Sequence, residues 1–234
     1  MNLLAVDTAT EKFSVALSRE NSAGNNTMLL TVDAGLRHSE LLMDGIDALL
    51  KTAGLRPEEL SGVVCSGGPG SFTGLRIGFA LSKGLALALN IPFTAIPTLD
   101  FMAGPFSFWP GMVAPVIDAK KGAFFCALYR DGKRLCPDMD ASPAEIATVI
   151  NGAQPGAEEP VLLVGPASLM LYEKIMELPM EKRPAPGIKS GGTRWGDAQT
   201  LLEIAKETAF PEIQSDYFSG PVYIRKSDAE LNLQ

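Results

Sequence analysis

The stretch that decides the fold reads Gly67-Gly-Pro-Gly-Ser-Phe-Thr-Gly-Leu-Arg-Ile-Gly78, and it concentrates glycine at the start of a predicted helix. The β-branched run Gly62-Val-Val-Cys65 before it is typical of a buried strand, and apolar residues recur at helical spacing from Leu75 to Leu89. Ser71 is a favourable N-cap residue for this helix. The stretch therefore predicts a strand, a glycine turn and a helix.

Small residues recur at every fourth position of this helix, at Gly74, Gly78, Ser82 and Ala86. This spacing places them along one ridge. Each interior glycine costs a helix about 0.5–1 kcal/mol relative to alanine, so we expect a close contact to compensate for the loss. The pattern leaves two partners open for the ridge, which are the protein's own sheet and a helix of another subunit.

The same stretch does not match the known nucleotide-binding fingerprints. Leu75 and Arg76 follow Gly74 where a P-loop needs Lys and then Ser or Thr, and Thr73 stands at the last glycine of the dinucleotide pattern. Backbone amides at the helix N-terminus could still bind an anion. The sequence therefore indicates no specific nucleotide motif here.

Composition limits the class of protein. The 234 residues are 46% hydrophobic, which is enough for one large core or two small ones, and we expect two lobes. A formal charge of -7 and a pI of about 4.8 argue against a protein that grips nucleic acid by itself. The three cysteines read as thiols in a reducing compartment, and no basic leader or run of about 18 apolar residues is seen. These features predict a soluble, cytoplasmic protein without membrane contact.

The order of predicted elements indicates an actin-like fold. A strand ending at Asp7 and two further strands form an antiparallel meander, followed by helix, strand, glycine helix and strand. Sliding the chain by 111 residues sets Asp7 on Asp118 and Phe13 on Phe124, which predicts two related lobes. By analogy with the ribonuclease-H-like unit of actin-like kinases and chaperones, which has this element order, we expect an α/β ASKHA (actin-like, ribonuclease-H-like) fold with a mixed sheet flanked by helices in each lobe. The lobes are predicted at 1–104 and 105–234, with the tail packing back on the first.

Few residues are candidates for chemistry. The only histidine, His38, excludes multi-histidine metal sites, and we expect it to lie partly exposed near a helix cap rather than to act in catalysis. No Cys-x-x-Cys pair exists. Asp7, Thr8 and Thr10 remain, at the first hairpin. They have two interpretations: a weak nucleotide contact, as in actin-like ATPases, or an aspartate that caps the turn at the end of a strand.

Five stretches together carry a family resemblance: Leu4–Thr10, Arg37–Leu42, Gly67–Gly78, Val116–Ala119 and Pro221–Arg225. They resemble the bacterial TsaB family, also called YeaZ. The resemblance implies membership of the machinery that forms threonylcarbamoyladenosine at position 37 of tRNAs reading codons that begin with A. It implies a non-catalytic scaffold for the catalytic subunit TsaD, with the ATPase TsaE as a further partner, a homodimer when TsaD is absent, and tRNA bound only through the complex.

The resemblance also implies which residues carry the function. The two metal-binding histidines of TsaD correspond here to Thr98 and Met102, so we expect neither a metal site nor catalytic residues. The implied interface uses the helices Ser39–Leu50 and Ser71–Leu89, which favours the subunit contact for the small-residue ridge. The interface residues predicted on them are Leu42, Ile46, Ser71, Gly74, Gly78 and Ser82.

No cofactor is predicted to be required, although a weak ATP or ADP contact at a partner interface would use Asp7, Thr8 and Thr10. The alternative function is an actin-like small-molecule kinase or ATPase that uses the same three residues.

Overall fold

The computed structural model describes residues 1–21, 24–35, 37–154, 159–184, 187–192, 195–208 and 220–225. The chain divides into two compact units, one of residues 1–101 with 197–223 and one of residues 102–196 with 224–234. The break after Phe101 lies close to the boundary predicted at residue 104, and the segment that begins at Asp197 belongs to the first unit. Each unit has its own sheet and its own core.

The described residues form twelve strands and six α-helices. The strands are β1 (Leu3–Asp7), β2 (Lys12–Asn21), β3 (Gly24–Asp33), β4 (Gly62–Ser66), β5 (Phe93–Ile96), β6 (Met112–Asp118), β7 (Phe124–Cys126), β8 (Tyr129–Arg130), β9 (Lys133–Arg134), β10 (Met139–Ala141), β11 (Val161–Val164) and β12 (Ile188–Ser190). The helices are α1 (His38–Ala53), α2 (Phe72–Leu89), α3 (Thr98–Ala103), α4 (Pro143–Ala153), α5 (Ser168–Met176) and α6 (Ala198–Glu207).

Both sheets have the same topology. The first runs β3-β2-β1-β4-β5 and the second β10-β7-β6-β11-β12, where β8 also pairs with β6 and β9 pairs with β8. In each, the first three strands of the path are antiparallel and the last three are parallel. Mixed sheets of this order, with helices packed against them, confirm the predicted ASKHA fold and the three-stranded meander.

The first sheet is covered on both faces. Alternate residues such as Leu4, Val6 and Phe13 form one core with apolar residues of α1 and α2. The opposite face carries small side chains, including those of Ala5 and Ala16, and α6 packs on it. The backbone N–H of Ala198 donates to Ser14 Oγ over 2.9 Å. The small residues let the backbone of α6 come close to the sheet.

The predicted 111-residue repeat places Phe13 and Phe124 at equivalent positions correctly, but it is wrong in equating Asp7 with Asp118. Phe13 and Phe124 both belong to the core of their unit. Val15 lies opposite Val6, whereas Cys126 lies opposite Val116 and not opposite Ile117, so the pairing register of the two hairpins differs by one residue. Because side chains alternate along a strand, Asp7 points away from its core, while Asp118 shares the side of Val116.

Local signals placed most helix ends. Ser71 accepts from the backbone N–H of Gly74 over 3.2 Å at the start of α2, and Asp197 accepts from Gln199 N–H over 2.9 Å at the start of α6. The sequence predicts a helix from Asp197 to about Ala209, which is α6, and its predicted end lies outside the described residues. The glycines and prolines from Pro179 to Gly192 predict a surface loop. This prediction is wrong in part, because β12 lies within the range and pairs in parallel with β11.

Candidate functional site

Two other segments of the first unit pack against the glycine stretch, one at Val222 and one at Thr8 and Ala9. An added Cβ at Gly68, where φ is +98°, would lie 2.4 Å from the carbonyl oxygen of Val222. At Gly70 it would lie 2.4 Å from the carbonyl oxygen of Ala9, and at Gly74 it would lie 2.1 Å from that of Thr8. Real Cβ atoms do not approach other atoms this closely, so only glycine fits at these positions. The glycines therefore serve close packing within the unit.

The structure corrects the predicted interface. The two residues taken from α1, Leu42 and Ile46, lie in the first core, and Gly74, Gly78 and Ser82 are buried. Ser71 alone is exposed. The ridge packs against Thr8, between β1 and β2, so the contact that compensates for the helical glycines is the protein's own hairpin. The five buried residues cannot form a surface of this folded chain.

The surface of α2 is formed by its other side, which we call the outer α2 face: Thr73, Arg76, Ala80, Gly84 and Leu87. These residues recur at intervals of three and four, so they share one side of the helix. Leu87 is 59% exposed, and a Cβ added at Gly84 would meet no atom within 4 Å. Ile77, Leu81 and Leu85 flank the face and are partly buried. The outer α2 face is thus largely apolar.

Its apolar character gives α2 the composition of a membrane span. It is the one helix in the described ranges whose 18 residues and mean hydropathy of 1.3 would allow a crossing. A core helix of a soluble protein passes the same test, so this is weak evidence for a membrane. The finding reflects the high content of apolar residues in α2, which includes the exposed Ala80 and Leu87.

The exposed side of α1 is acidic by contrast. Glu40, Asp44 and Asp47 are exposed, as is Met43, and Asp47 pairs with Lys51 one turn further along. The helices α1 and α2 pack on the same face of the first sheet. An acidic helix surface and an apolar one with a basic residue therefore lie on the same side of the unit.

Asp7 lies at the end of β1 and is buried. Its Oδ1 accepts from the backbone N–H of Ala9 over 2.9 Å, and its carboxyl also bonds the hydroxyl of Ser66. Burial raises the pKa of Asp7 to about 6, against the lowering effect of these two bonds, and the nearby carboxyl of Asp197 raises it further. The carboxyl thus caps the turn that follows its own strand.

The two threonines of the hairpin are closed in as well. Thr8 is fully buried beneath α2, and its backbone N–H donates to Ser66 Oγ over 3.2 Å. Thr10 donates from its hydroxyl to the carbonyl oxygen of Lys12 over 3.0 Å. Side chains that bind a phosphate or its metal ion must be accessible to that ligand. These contacts match the turn-capping interpretation of the hairpin.

The other candidate residues also have structural surroundings. His38 is buried, contrary to the expected partial exposure, and its ring lies 5.9 Å from that of Phe13. Thr98 is buried and its Oγ1 accepts from Gly68 N–H over 3.1 Å, while Met102 is buried in the second unit. Within the described ranges, no three His, Cys, Asp or Glu side chains come together as a metal site would require.

Sequence reasoning missed one cluster on the first unit, formed by Phe72, Arg76 and Tyr223. The rings of Phe72 and Tyr223 lie 4.9 Å apart, and Arg76 Nε donates to Tyr223 Oη over 3.2 Å. Two of the stretches that carry the family resemblance, Gly67–Gly78 and Pro221–Arg225, contain these residues. No local pattern signals a contact between residues 147 positions apart.

Comparisons with known proteins agree with this architecture. A family model described as TsaD, tRNA N6-adenosine threonylcarbamoyltransferase, matches residues 32–165, which is more than half of the chain. The threonylcarbamoyladenosine biosynthesis protein TsaB of Bacillus subtilis is 32% identical over 171 residues, covering 70% of this chain and 71% of that protein. TsaB of Escherichia coli is 33% identical over 132 residues, covering 56% of this chain and 55% of its own.

A solved structure extends the likeness to nearly the whole chain. YeaZ from Pseudomonas aeruginosa superposes with a TM-score of 0.75 at 25% identity, covering 95% of this chain and 99% of that one. The superposition, the matching family model and the B. subtilis relative lead to one conclusion: this chain belongs to the TsaB (YeaZ) family of tRNA threonylcarbamoyladenosine biosynthesis proteins.

Proposed function

We propose that this chain is a non-catalytic scaffold subunit that binds TsaD and supports formation of threonylcarbamoyladenosine at position 37 of tRNAs reading codons that begin with A. The observation that carries the proposal is the outer α2 face. The inner side of α2 is buried by the chain's own hairpin and core, and the outer side still presents apolar residues such as Ala80 and Leu87. Exposed apolar side chains on a helix whose other side is already buried commonly mark a contact with another protein.

The family membership favours a partner protein as the molecule that buries the outer α2 face. In this proposal the partner binds the outer α2 face and the adjoining surface of α1. The small-residue ridge, which the sequence predicted at the interface, is buried and takes no part in it. TsaD occupies this surface in the working complex, and a second copy of the chain occupies it when TsaD is absent. TsaE joins the complex, which acts in the cytoplasm.

Three features support a subunit without its own catalytic centre. Asp7 and Thr10 form hydrogen bonds within their own turn, Thr8 is buried beneath α2, and the Thr98 hydroxyl accepts from the backbone amide of Gly68. The formal charge of -7 disfavours tRNA binding by the isolated chain, so tRNA is bound through the complex. No cofactor is required, and any ATP or ADP contact is weak and shared with the partner. The kinase or ATPase alternative would need these hairpin residues to face a ligand.

The proposal is tested by placing a charge on the outer α2 face. Leu87→Glu puts a carboxylate in a partner's apolar contact, so we expect TsaD binding in a co-elution experiment to weaken by at least about tenfold. The matched control is Leu169→Glu on α5, because Leu169 is 57% exposed and also lies on a helix, but in the second unit.

Both variants should keep the circular dichroism spectrum and melting temperature of the parent chain, because both side chains are mostly in solvent. TsaD binding that is unchanged by Leu87→Glu, or weakened equally by Leu169→Glu, contradicts the proposed surface. Modification of tRNA by this chain without TsaD contradicts the non-catalytic role.

A further inference from the structure

We propose that Tyr223 positions Arg76 as the carboxylate-binding residue of the outer α2 face, and that the carboxylates it binds are Glu40 and Asp44 on α1 of a second copy of this chain. The inference rests on the proposed function and deepens it, since it names what determines pairing in the homodimer. Tyr223 is a positioning residue in this arrangement, and Arg76 makes the contact.

The Arg76 guanidinium is held in one orientation. Its Cζ lies 3.8 Å from the centre of the Phe72 ring and 5.8 Å from that of Tyr223, and its Nε–H donates to the Tyr223 hydroxyl. The four N–H donors on the two terminal nitrogens have no hydrogen-bond partner in the described part of the chain. A stacked, oriented guanidinium loses little entropy when it binds a planar carboxylate with two hydrogen bonds.

Tyr223 is held in place by the glycine stretch. The backbone N–H of Val222 donates to the carbonyl oxygen of Gly67 over 2.8 Å, and the Val222 carbonyl lies where a side chain at residue 68 would be. The segment 221–223 therefore docks only because residue 68 is glycine. In this docked position the ring and hydroxyl of Tyr223 lie beside the first turn of α2.

Arg76 differs from several other arginines of the described structure. Arg56, Arg130, Arg134 and Arg225 each pair with a carboxylate of their own chain, namely Glu59, Glu159, Asp138 and Asp140. Arg76 is exposed and forms no ion pair with any described residue. A preoriented cation on a largely apolar surface is a typical interface hot spot, and it calls for a carboxylate from outside the chain.

The chain carries such carboxylates on the neighbouring helix. Glu40 and Asp44 are exposed and four residues apart, so their charges repel along one side of α1, and neither forms an ion pair with a described residue. Arg76 lies on α2 and these carboxylates lie on α1, and both helices pack on the same face of the sheet. Arg76 forms no ion pair with either carboxylate within the described chain. In a two-fold symmetric dimer each contact occurs twice. Arg76 of one copy binds the α1 carboxylates of the second copy, and Arg76 of the second copy binds those of the first.

The test uses the full chain and measures its self-association by sedimentation equilibrium. We expect Arg76→Ala to raise the dimer Kd by about tenfold or more, Tyr223→Ala by about fivefold and Tyr223→Phe by about twofold, since Phe keeps the ring but loses the hydroxyl. Arg134→Ala is the matched control, because Arg134 also lies over a ring, that of Tyr129 at 5.2 Å, but in the second unit. It should leave the Kd unchanged.

Charge reversal identifies the pairing. Arg76→Glu and the double change Glu40→Lys with Asp44→Lys should each abolish the homodimer, whereas a mixture of the two variants should form a heterodimer. In the mixture one contact is reversed and the other is native, so both are attractive. Added salt should weaken the parent dimer more than the Arg76→Ala dimer.

The outcomes separate this inference from the scaffold function. If Arg76→Ala and Tyr223→Ala leave the Kd unchanged while Leu87→Glu weakens TsaD binding, the pairing is wrong and the scaffold surface stands. A chain that stays monomeric, or a charge-reversed mixture that forms no heterodimer, also overturns the pairing. Calorimetry would show whether Tyr223→Ala fails to fold. In that case the Kd of Tyr223→Phe and the charge-reversed mixture test the proposed pairing.

Discussion

The hydroxyl oxygen of Thr8 lies against Gly78 so closely that a Cβ at residue 78 would be 2.2 Å from it. Gly74, one turn earlier on α2, stands in the same relation to the carbonyl oxygen of Thr8. The small-residue ridge thus brings α2 within backbone distance of the first hairpin. A bulky residue at position 78 consequently changes the fold of the first unit before it changes any interface.

Gly78→Ala should destabilise the protein. The methyl group overpacks a buried contact, and we expect the free energy of unfolding to fall by about 1–3 kcal/mol in urea denaturation. Gly84→Ala is the matched change on the outer α2 face, where nothing lies within 4 Å of the new Cβ. It should raise the free energy of unfolding by about 0.5–1 kcal/mol, because alanine is the better helix former. Equal effects at the two positions would contradict the packing described for α2.

Asp7→Asn should alter the pH dependence of stability. The folded state holds the Asp7 proton up to a pH of about 6, whereas a free carboxyl with a pKa of 3.8 loses it earlier. The folded state therefore binds more protons between pH 3.8 and 6, so this group makes the parent protein less stable as pH rises through that range. A shift of this size corresponds to about 3 kcal/mol.

Asparagine at residue 7 stays uncharged and its side-chain oxygen can still accept from the Ala9 amide. We expect Asp7→Asn to match the parent in free energy of unfolding near pH 4 and to exceed it at pH 7.5. Asp33→Asn, at an exposed carboxylate of the same sheet, provides the control. Curves for Asp7→Asn and the parent that run parallel from pH 4 to 7.5 would show that Asp7 titrates as an exposed group.

Nucleotide binding by the isolated chain should be weak. Because Asp7, Thr8 and Thr10 are buried in their own turn, we expect calorimetric titration with magnesium and ATP to give a Kd above about 100 μM, equivalent to about -5.5 kcal/mol. Tight, magnesium-dependent binding that disappears in Asp7→Ala would favour the kinase or ATPase alternative. Repeating the titration with TsaD present distinguishes a shared site from no site.

The three thiols should react at very different rates. Cys65 and Cys126 are buried in the first and second cores, and burial raises the pKa of both thiols, which keeps them protonated. Cys136 is partly exposed, although its Sγ accepts from the backbone N–H of Leu128. We expect a water-soluble maleimide to modify Cys136 at least about 100-fold faster than the other two, as measured by peptide mass spectrometry. Rapid labelling of Cys65 would indicate that the first unit opens readily.

Several elements could be predicted because their signals are local. The alternation of Phe13, Val15 and Leu17 predicts a strand, and Ser71 before the helical repeat of α2 predicts the helix start. The family resemblance likewise depends on residues that are contiguous in the chain, such as Gly67–Gly78. The aspartate register of the second hairpin could not be found this way, since a difference of one residue in a turn reverses the face of every side chain in the strand before or after it.

By itself, the sequence determined the strand and helix order, the actin-like class and the family, because periodicity and turn chemistry act over a few residues. Only the tertiary structure decided which side of α2 faces inward. Both sides are apolar or small, so the choice depends on Thr8, which approaches from 70 positions before Gly78. The contact of Tyr223 with Arg76 depends in the same way on distant segments meeting at glycine, and no short-range pattern in a sequence encodes such a meeting.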